Sequence, residues 1–504
     1  LRARVLEAGE EIGGTWYWNR YPGARCDVES MQYSFSFSDE IQQEWKWKEL
    51  YAPQAEILSY INFVADRLNL RNDIQLSTRV TAATFDSSDN RWTVETNVGD
   101  AFSAQYLIMA TGCLSIPLDP KIKGINDFEG VLLRTSNWPK DGVDLSGKRV
   151  GIIGTGSSSI QAVPHLAQQA DQLYVFQRTP NYSIPAQNRP MDSAYEHDWK
   201  DNYAERRKLA KRTRNNTLNN AGPKSGTEFS REELEKEFEK RWQAGGIGFM
   251  YTCSDITSNE DVNEIAADFV RNKIRKIVKD PKKADILIPR DYPIGAKRIC
   301  VDTEYFETFN RDNVTPVDIK SNPIEKISKN GVVLSNGDTF DLDTLILATG
   351  FDAMTGALLR INISGRNGIK LADEWAAGPK TYFGIAISGF PNMFTITGPG
   401  SPSVFTNMVT SIEQHVDWIV DCMTHLQDQG KQTIEAMPDA QENWTAHGNE
   451  IASTTIFYSA ASWYVGANVE GKPRIFMPYI GGADNYIDKL TEMTAEGYRG
   501  FEIS

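Results

Sequence analysis

The stretch Gly154–Ser159, GTGSSS, follows an apolar run at 149–153 and opens a segment whose apolar residues Ile160, Val163 and Leu166 share a helical face. A strand, a Gly-rich turn and a helix in that order can cradle a dinucleotide pyrophosphate. Gly154 permits the tight turn, and Gly156 lets the backbone approach the phosphates. Ser157 and Ser158 supply amides at the positive end of the helix. Ser159 stands where a third Gly or Ala is usual and is small enough to keep helix and strand close. The next strand, Leu173–Phe176, runs into Gln177, Arg178 and Thr179 with no acid at its tip. An acid there would accept from ribose hydroxyls, whereas a Gln–Arg tip suits a 2′-phosphate, so NADP(H) is expected. Near the start of the chain, Val5–Leu6 runs into Glu7 and then a Gly turn. That acid suits an unphosphorylated ribose, as in FAD. Two such sites with different strand-end chemistry imply hydride transfer from NADPH to a bound flavin.

These residues need a frame. YLIMATG (106–112) and LILATGFDA (345–353) each carry an apolar strand into Ala-Thr-Gly, which suggests two similar domains with a chain crossing at each strand end. Between about 183 and 295 the pattern turns helical. SREELEKEFEKRW has a capping pair, Ser230 and Glu233, and an apolar stripe Leu234, Phe238, Trp242. VNEIAADFVRNKIRKIV predicts a second helix with a stripe through Ile265, Phe269 and Ile277. The fold class expected is α/β: two interleaved Rossmann-like dinucleotide-binding domains with a mostly helical insertion.

A net charge of −14 argues against nucleic acid as a partner, because phosphate-backbone binding requires a basic face. No apolar run approaches the ~20 residues that cross a bilayer. Cys26, Cys113, Cys253, Cys300 and Cys422 are scattered, as are the five histidines, so neither a metal site nor a disulfide framework is expected. Reduced thiols and a cytoplasmic location are the reading that follows.

GGTWYWNRYPGARCD, residues 13–27, fits at every fixed position the pattern Gly-Gly-x-Trp-x4-Tyr-Pro-Gly-x3-Asp of the type I Baeyer–Villiger monooxygenases. FEGVLLRTSNWP (128–139) resembles that family's fingerprint Phe-x-Gly-x3-His-x3-Trp-Pro, with Arg134 in place of the His. YPIGAKR and SWYVGANVEGKPR also resemble family segments, and the likeness runs from end to end of the chain. The resemblance implies an FAD-binding domain at 1–113 and 351–504, an NADP-binding domain at 114–178 and 296–350, and a helical insertion at 179–295. It also implies an NADPH- and FAD-dependent enzyme that uses O2, through a peroxyflavin, to convert a ketone to an ester or lactone.

By the same resemblance Arg298 is the catalytic Arg, and Asp27 is the carboxylate that orients it. Lys297 joins Arg178 at the NADP 2′-phosphate, and Trp463 lies on a mobile loop contacting NADP. Gly13, Gly14, Thr15 and Trp16 line FAD, while Trp18 and Tyr21 are equally suited to core packing. Ser403, Val404 and Met408, in GPGSPSVFTNM, shape the substrate pocket. Cys113 reads as a small buried hydrophobe. Arg134 either couples the two domains or is a solvated linker charge. Family members place a strand and a Gly-rich FAD loop before the equivalent of Leu1, so the expectation is that this sequence is an incomplete record. Two alternatives stay open: oxidation of amine nitrogen or sulfide sulfur on the same two nucleotide sites, and an inactive nucleotide-binding fragment.

Overall fold

The computed structural model describes residues 2–219 and 222–504. The chain opens with β1 (Val5–Leu6), which lies parallel to β2 (Ile74–Gln75). Strands β3 (Val80–Asp86), β4 (Arg91–Thr96) and β5 (Ala101–Ala104) follow as an antiparallel meander, then β6 (Leu107–Met109). In β4 alternate residues Trp92, Val94 and Thr96 are buried, the pattern of a strand with one wet face.

The chain then crosses into a second unit through β7 (Val131–Arg134), β8 (Arg149–Ile153) and β9 (Gln172–Gln177). The helix Ser157–Gln169 links β8 to β9, and its expected face is fully buried at Ile160, Val163 and Leu166. Next come β10 (Ser183–Pro185), the helical stretch, β11 (Cys300–Asp302) and β12 (Val314–Asp318). A small antiparallel sheet of β13 (Ile324–Ser328), β14 (Gly331–Leu334) and β15 (Thr339–Asp341) leads to β16 (Thr344–Leu347). A five-stranded parallel sheet forms in the order β12-β9-β8-β16-β7. Buried on both faces, β8 and β16 carry the near-continuous apolar runs of inner parallel strands. The chain then returns to the first unit, where β17 (Asn362–Ser364) joins β3 and β18 (Met393–Thr395) joins β6, both parallel.

In the helical stretch, Ser230 and Glu233 form a reciprocal capping box on Arg231–Ala244, and Leu234, Phe238 and Trp242 are buried. On Glu260–Ile277 the deepest face differs from the one expected. Val262, Ala266, Val270 and Ile274 are fully buried, while Ile265, Phe269 and Ile277 flank them half-buried. The two faces are one residue apart, about 100° of helix, and small Ala residues mark the closest approach.

The helical stretch is tied back to the residues that follow it. β10 pairs in parallel with β11, and Asp302 accepts from the Ser183 hydroxyl and from the Tyr305 amide at 3.1 Å. Burial pushes the Asp302 carboxyl up to about 6. Because this raises the folded value above the ordinary 3.8, the charged form burdens the fold. The stability is fully present below pH ~4 and is lost as pH rises through 6, a difference of about 3 kcal/mol. Asp302→Asn should therefore raise the melting temperature relative to the unmodified chain at pH 8. The gain should disappear near pH 4, as followed by circular dichroism.

Candidate functional site

The turn after β8 is shaped by backbone contact. Gly154 has φ 119°, and a Cβ there would collide with the Ala348 carbonyl oxygen at the end of β16. Thr155 Oγ1 donates to the Thr179 carbonyl at 2.7 Å, which fixes the turn to the tip of β9. Gly156 starts the helix with no side-chain cap, and a Cβ at that position would meet only open space. The first amides of a thirteen-residue helix, with Ser157 exposed and Ser158 half-buried, are thus left open at its positive end. Ser159 is fully buried, so its small size is used, although its hydroxyl has no partner.

At the tip of β9 the two polar residues have different surroundings. Gln177 is buried and donates through Nε2 to the Ile286 carbonyl at 2.6 Å. Arg178 is exposed. Lys297 sits over the Tyr292 ring, 4.7 Å from its centre. Its pKa is lowered, first by burial and then by repulsion from Arg178. Two cations held close to each other invite a dianion between them.

Residues 271 positions apart meet at Arg298. Its Nη2 donates to Asp27 Oδ2 at 2.5 Å, and its Nη1 donates to the Val404 carbonyl at 2.7 Å. The Asp27 charge raises the guanidinium pKa against the opposing effect of burial. The structure thereby joins the Trp-rich motif, the YPIGAKR segment and the 398–408 loop in one half-buried ion pair. Ser403, fully buried with φ 42°, and Met408, at the start of the helix Met408–Asp428, flank Val404. Cys113 is half-buried beside Ser403, and burial pushes its thiol up to about 11.

Trp463 is half-buried, whereas its neighbour Tyr464 is fully buried and lies close enough to Arg298 for each to perturb the other. Sequence reasoning passed over Tyr464.

At the amino end, Gly14 has φ 50° with open space where a Cβ would stand, and Gly14 and Thr15 are exposed. Gly13 has no such room, because a Cβ would lie 2.5 Å from Leu58 Cδ1. Trp16 donates through Nε1 to Tyr33 Oη at 3.1 Å. Glu7 accepts from the Gly9 amide at 2.6 Å. Arg134 pairs with Asp119 at 2.8 Å on the surface at the end of β7. Among the described residues no cluster of His, Cys, Asp and Glu could hold a metal ion, and no helix is long and apolar enough to cross a membrane.

Residues 4–208 match the family model for pyridine nucleotide-disulphide oxidoreductases. The chain is 41% identical to an acetone monooxygenase (methyl acetate-forming) from Gordonia sp. strain TY-5, over all of this chain and 95% of that protein. It is also 41% identical to a Baeyer–Villiger monooxygenase from Pseudooceanicola batsensis, covering 99% of this chain and 91% of the other. A phenazine N-monooxygenase from Lysobacter antibioticus shares 40% identity over 99% of this chain and 92% of its own length. Among solved structures, that of OTEMO in complex with FAD and NADP superposes with a TM-score of 0.95 at 39% identity, covering 99% of this chain and 94% of that one.

The two turn glycines should separate folding from binding. Gly154→Ala should cost at least about 2 kcal/mol of stability, through the carbonyl collision and the disallowed φ. Gly156→Ala should cost no more than about 1 kcal/mol yet weaken NADP+ binding. Thermal melts alongside an NADP+ titration read both effects.

Proposed function

The chain belongs to the Baeyer–Villiger monooxygenases, FAD- and NADPH-dependent enzymes that turn ketones into esters or lactones, and from that premise we propose which of its residues carry the reaction. The observation that carries the assignment is Arg298 fixed between Asp27 and the Val404 carbonyl. Bound FAD supplies the redox centre that takes the hydride and activates dioxygen.

Arg298 supplies a charge that does not titrate. A guanidinium beside a carboxylate stays protonated at any working pH, so it donates to a developing oxyanion without surrendering its proton. Two of its N–H groups are committed to Asp27 and Val404, which fixes the plane of the fork. Gly156, Ser157 and Ser158 hold the NADP pyrophosphate, while Arg178 and Lys297 hold its 2′-phosphate beside Thr179. Gly13, Gly14, Thr15 and Trp16 line the FAD site, with Glu7 at the ribose. The open space at Gly14 and Gly156 fits backbone approach to both cofactors. Ser403, Val404 and Met408 wall the ketone pocket, and Trp463 closes on the nicotinamide side.

Oxidation at nitrogen remains a second reading, because a relative named as an N-monooxygenase is nearly as similar as those named for ketones. Product analysis with a ketone beside a nitrogen heteroaromatic separates the two.

Arg298→Ala should reduce ester formation by roughly 10²–10³-fold. Flavin reduction by NADPH should survive in stopped flow. Arg298→Lys should recover only part of the loss, since a point charge does not reproduce the fork. Ester formation near the unmodified rate in Arg298→Ala would sink the assignment.

Arg178→Ala should narrow the preference for NADPH over NADH by roughly 10- to 150-fold, the value of a charge-assisted phosphate contact. Michaelis constants for both nicotinamides measure it, and unchanged discrimination refutes the strand-tip site.

A further inference from the structure

Gln161 lies one turn into the helix Ser157–Gln169, beyond reach of any role in the turn itself. Its side chain faces the Trp-rich motif. Nε2 donates to the Arg25 carbonyl at 3.0 Å, while Oε1 accepts from the Arg25 amide at 3.4 Å and from the Tyr21 hydroxyl at 2.8 Å. One side-chain amide thus pairs with both polar groups of a single backbone residue, as a neighbouring strand would, and takes a buried phenol as well. Gly23 makes the approach possible. It has φ 82°, and a Cβ there would collide with the Gln161 carbonyl and the His165 ring. The far side of the same segment is fixed too, since Arg25 Nη1 donates to Glu49 at 2.9 Å and to the Tyr51 carbonyl at 2.8 Å. Asp27, the partner of Arg298, follows two residues later.

We propose that Gln161 is a positioning residue, which sets the Asp27–Arg298 pair in register with the phosphate-binding helix so that occupation of the NADP site tightens the oxygenation site. Gln161 acts through the Arg25 backbone, so a shift of the helix is carried to the peptide two residues before Asp27. This rests on the assignment of Arg298 to the oxygenation step.

The test has two readouts, one of them independent of turnover. In the unmodified enzyme, NADP+ should slow amide hydrogen exchange across residues 20–28. Gln161→Ala should abolish that NADP+-dependent slowing. With a ketone that the unmodified enzyme converts, kcat for ester should fall about five- to tenfold, the value of one or two net hydrogen bonds. NADPH oxidation should continue and appear as hydrogen peroxide, with the Michaelis constant for NADPH unchanged within about twofold. Tyr21→Phe removes one of the bonds with no change of shape, and Gln161→Glu keeps the acceptor but loses the donor to Arg25. Both should fall between, and they carry the test if Gln161→Ala does not fold. A contact that only stabilises the fold would lower the melting temperature and leave NADP+-dependent exchange and the ester-to-peroxide ratio intact, and that result overturns the proposal. Failure of every ketone to give ester would instead strike the reaction assignment, while the exchange measurement would still decide the role of Gln161.

Discussion

A guanidinium kept half out of water must be answered by acceptors, and Arg298 takes its two from segments 377 positions apart. Asp27 belongs to the amino-terminal motif and Val404 to a loop near residue 400, so the pair forms only when both units and the return crossing are in place. Partial burial strengthens the attraction between the charges but also charges a desolvation cost to each, so the geometry has to be good. A guanidinium in that setting keeps its charge across the working pH range.

A second layer of polar contacts keeps the acceptors where they are. The Gln32 carbonyl accepts from buried Arg207 Nη1 at 2.7 Å and from Asn407 Nδ2 at 2.8 Å, and Gln32 Oε1 accepts from the Leu218 amide at 2.7 Å. Asn407 caps the helix Met408–Asp428 with its side-chain oxygen. One glutamine, five residues beyond the Trp-rich motif, therefore ties the helical stretch and the 398–408 loop to a common point. Glu413 holds Ser36 through its amide at 2.6 Å and its hydroxyl at 2.5 Å, which adds a further tie between the same helix and the same segment. Such a network is costly if any member is left unpaired, and that cost is what makes the arrangement specific.

Much of this was legible in advance, and the reasons differ by feature. GTGSSS could be read because its requirements are backbone requirements, and a Gly facing the Ala348 carbonyl has few substitutes. Arg298 and Asp27 were found only through the likeness of whole motifs, since nothing in spacing alone brings residues 27 and 298 together. The anchoring of Gln177 was not legible, because the direction of a strand-end side chain depends on what lies beneath it, here the Ile286 carbonyl. The face of Glu260–Ile277 was displaced because half-buried large residues and fully buried Ala look alike in a period count. Gln161 and Tyr464 gave no local signal at all. Each is an ordinary residue of its element, and its importance lies in a partner more than a hundred positions away.

That remoteness also bears on when the molecule becomes competent during its own assembly. The five-stranded sheet takes strands from as early as Val131 and as late as Leu347, and the first unit waits for β17 and β18 to rejoin it. Closing such long loops precedes the contacts that reward it, so folding of this topology is slow. On a ribosome, Asp27 emerges long before either Arg298 or the 404 carbonyl exists to meet it. The carboxylate must wait in solvent, and the dinucleotide turn and its helix can form as a local unit first. Competence for oxygen chemistry thus arrives last, after the scaffold that contains it has closed.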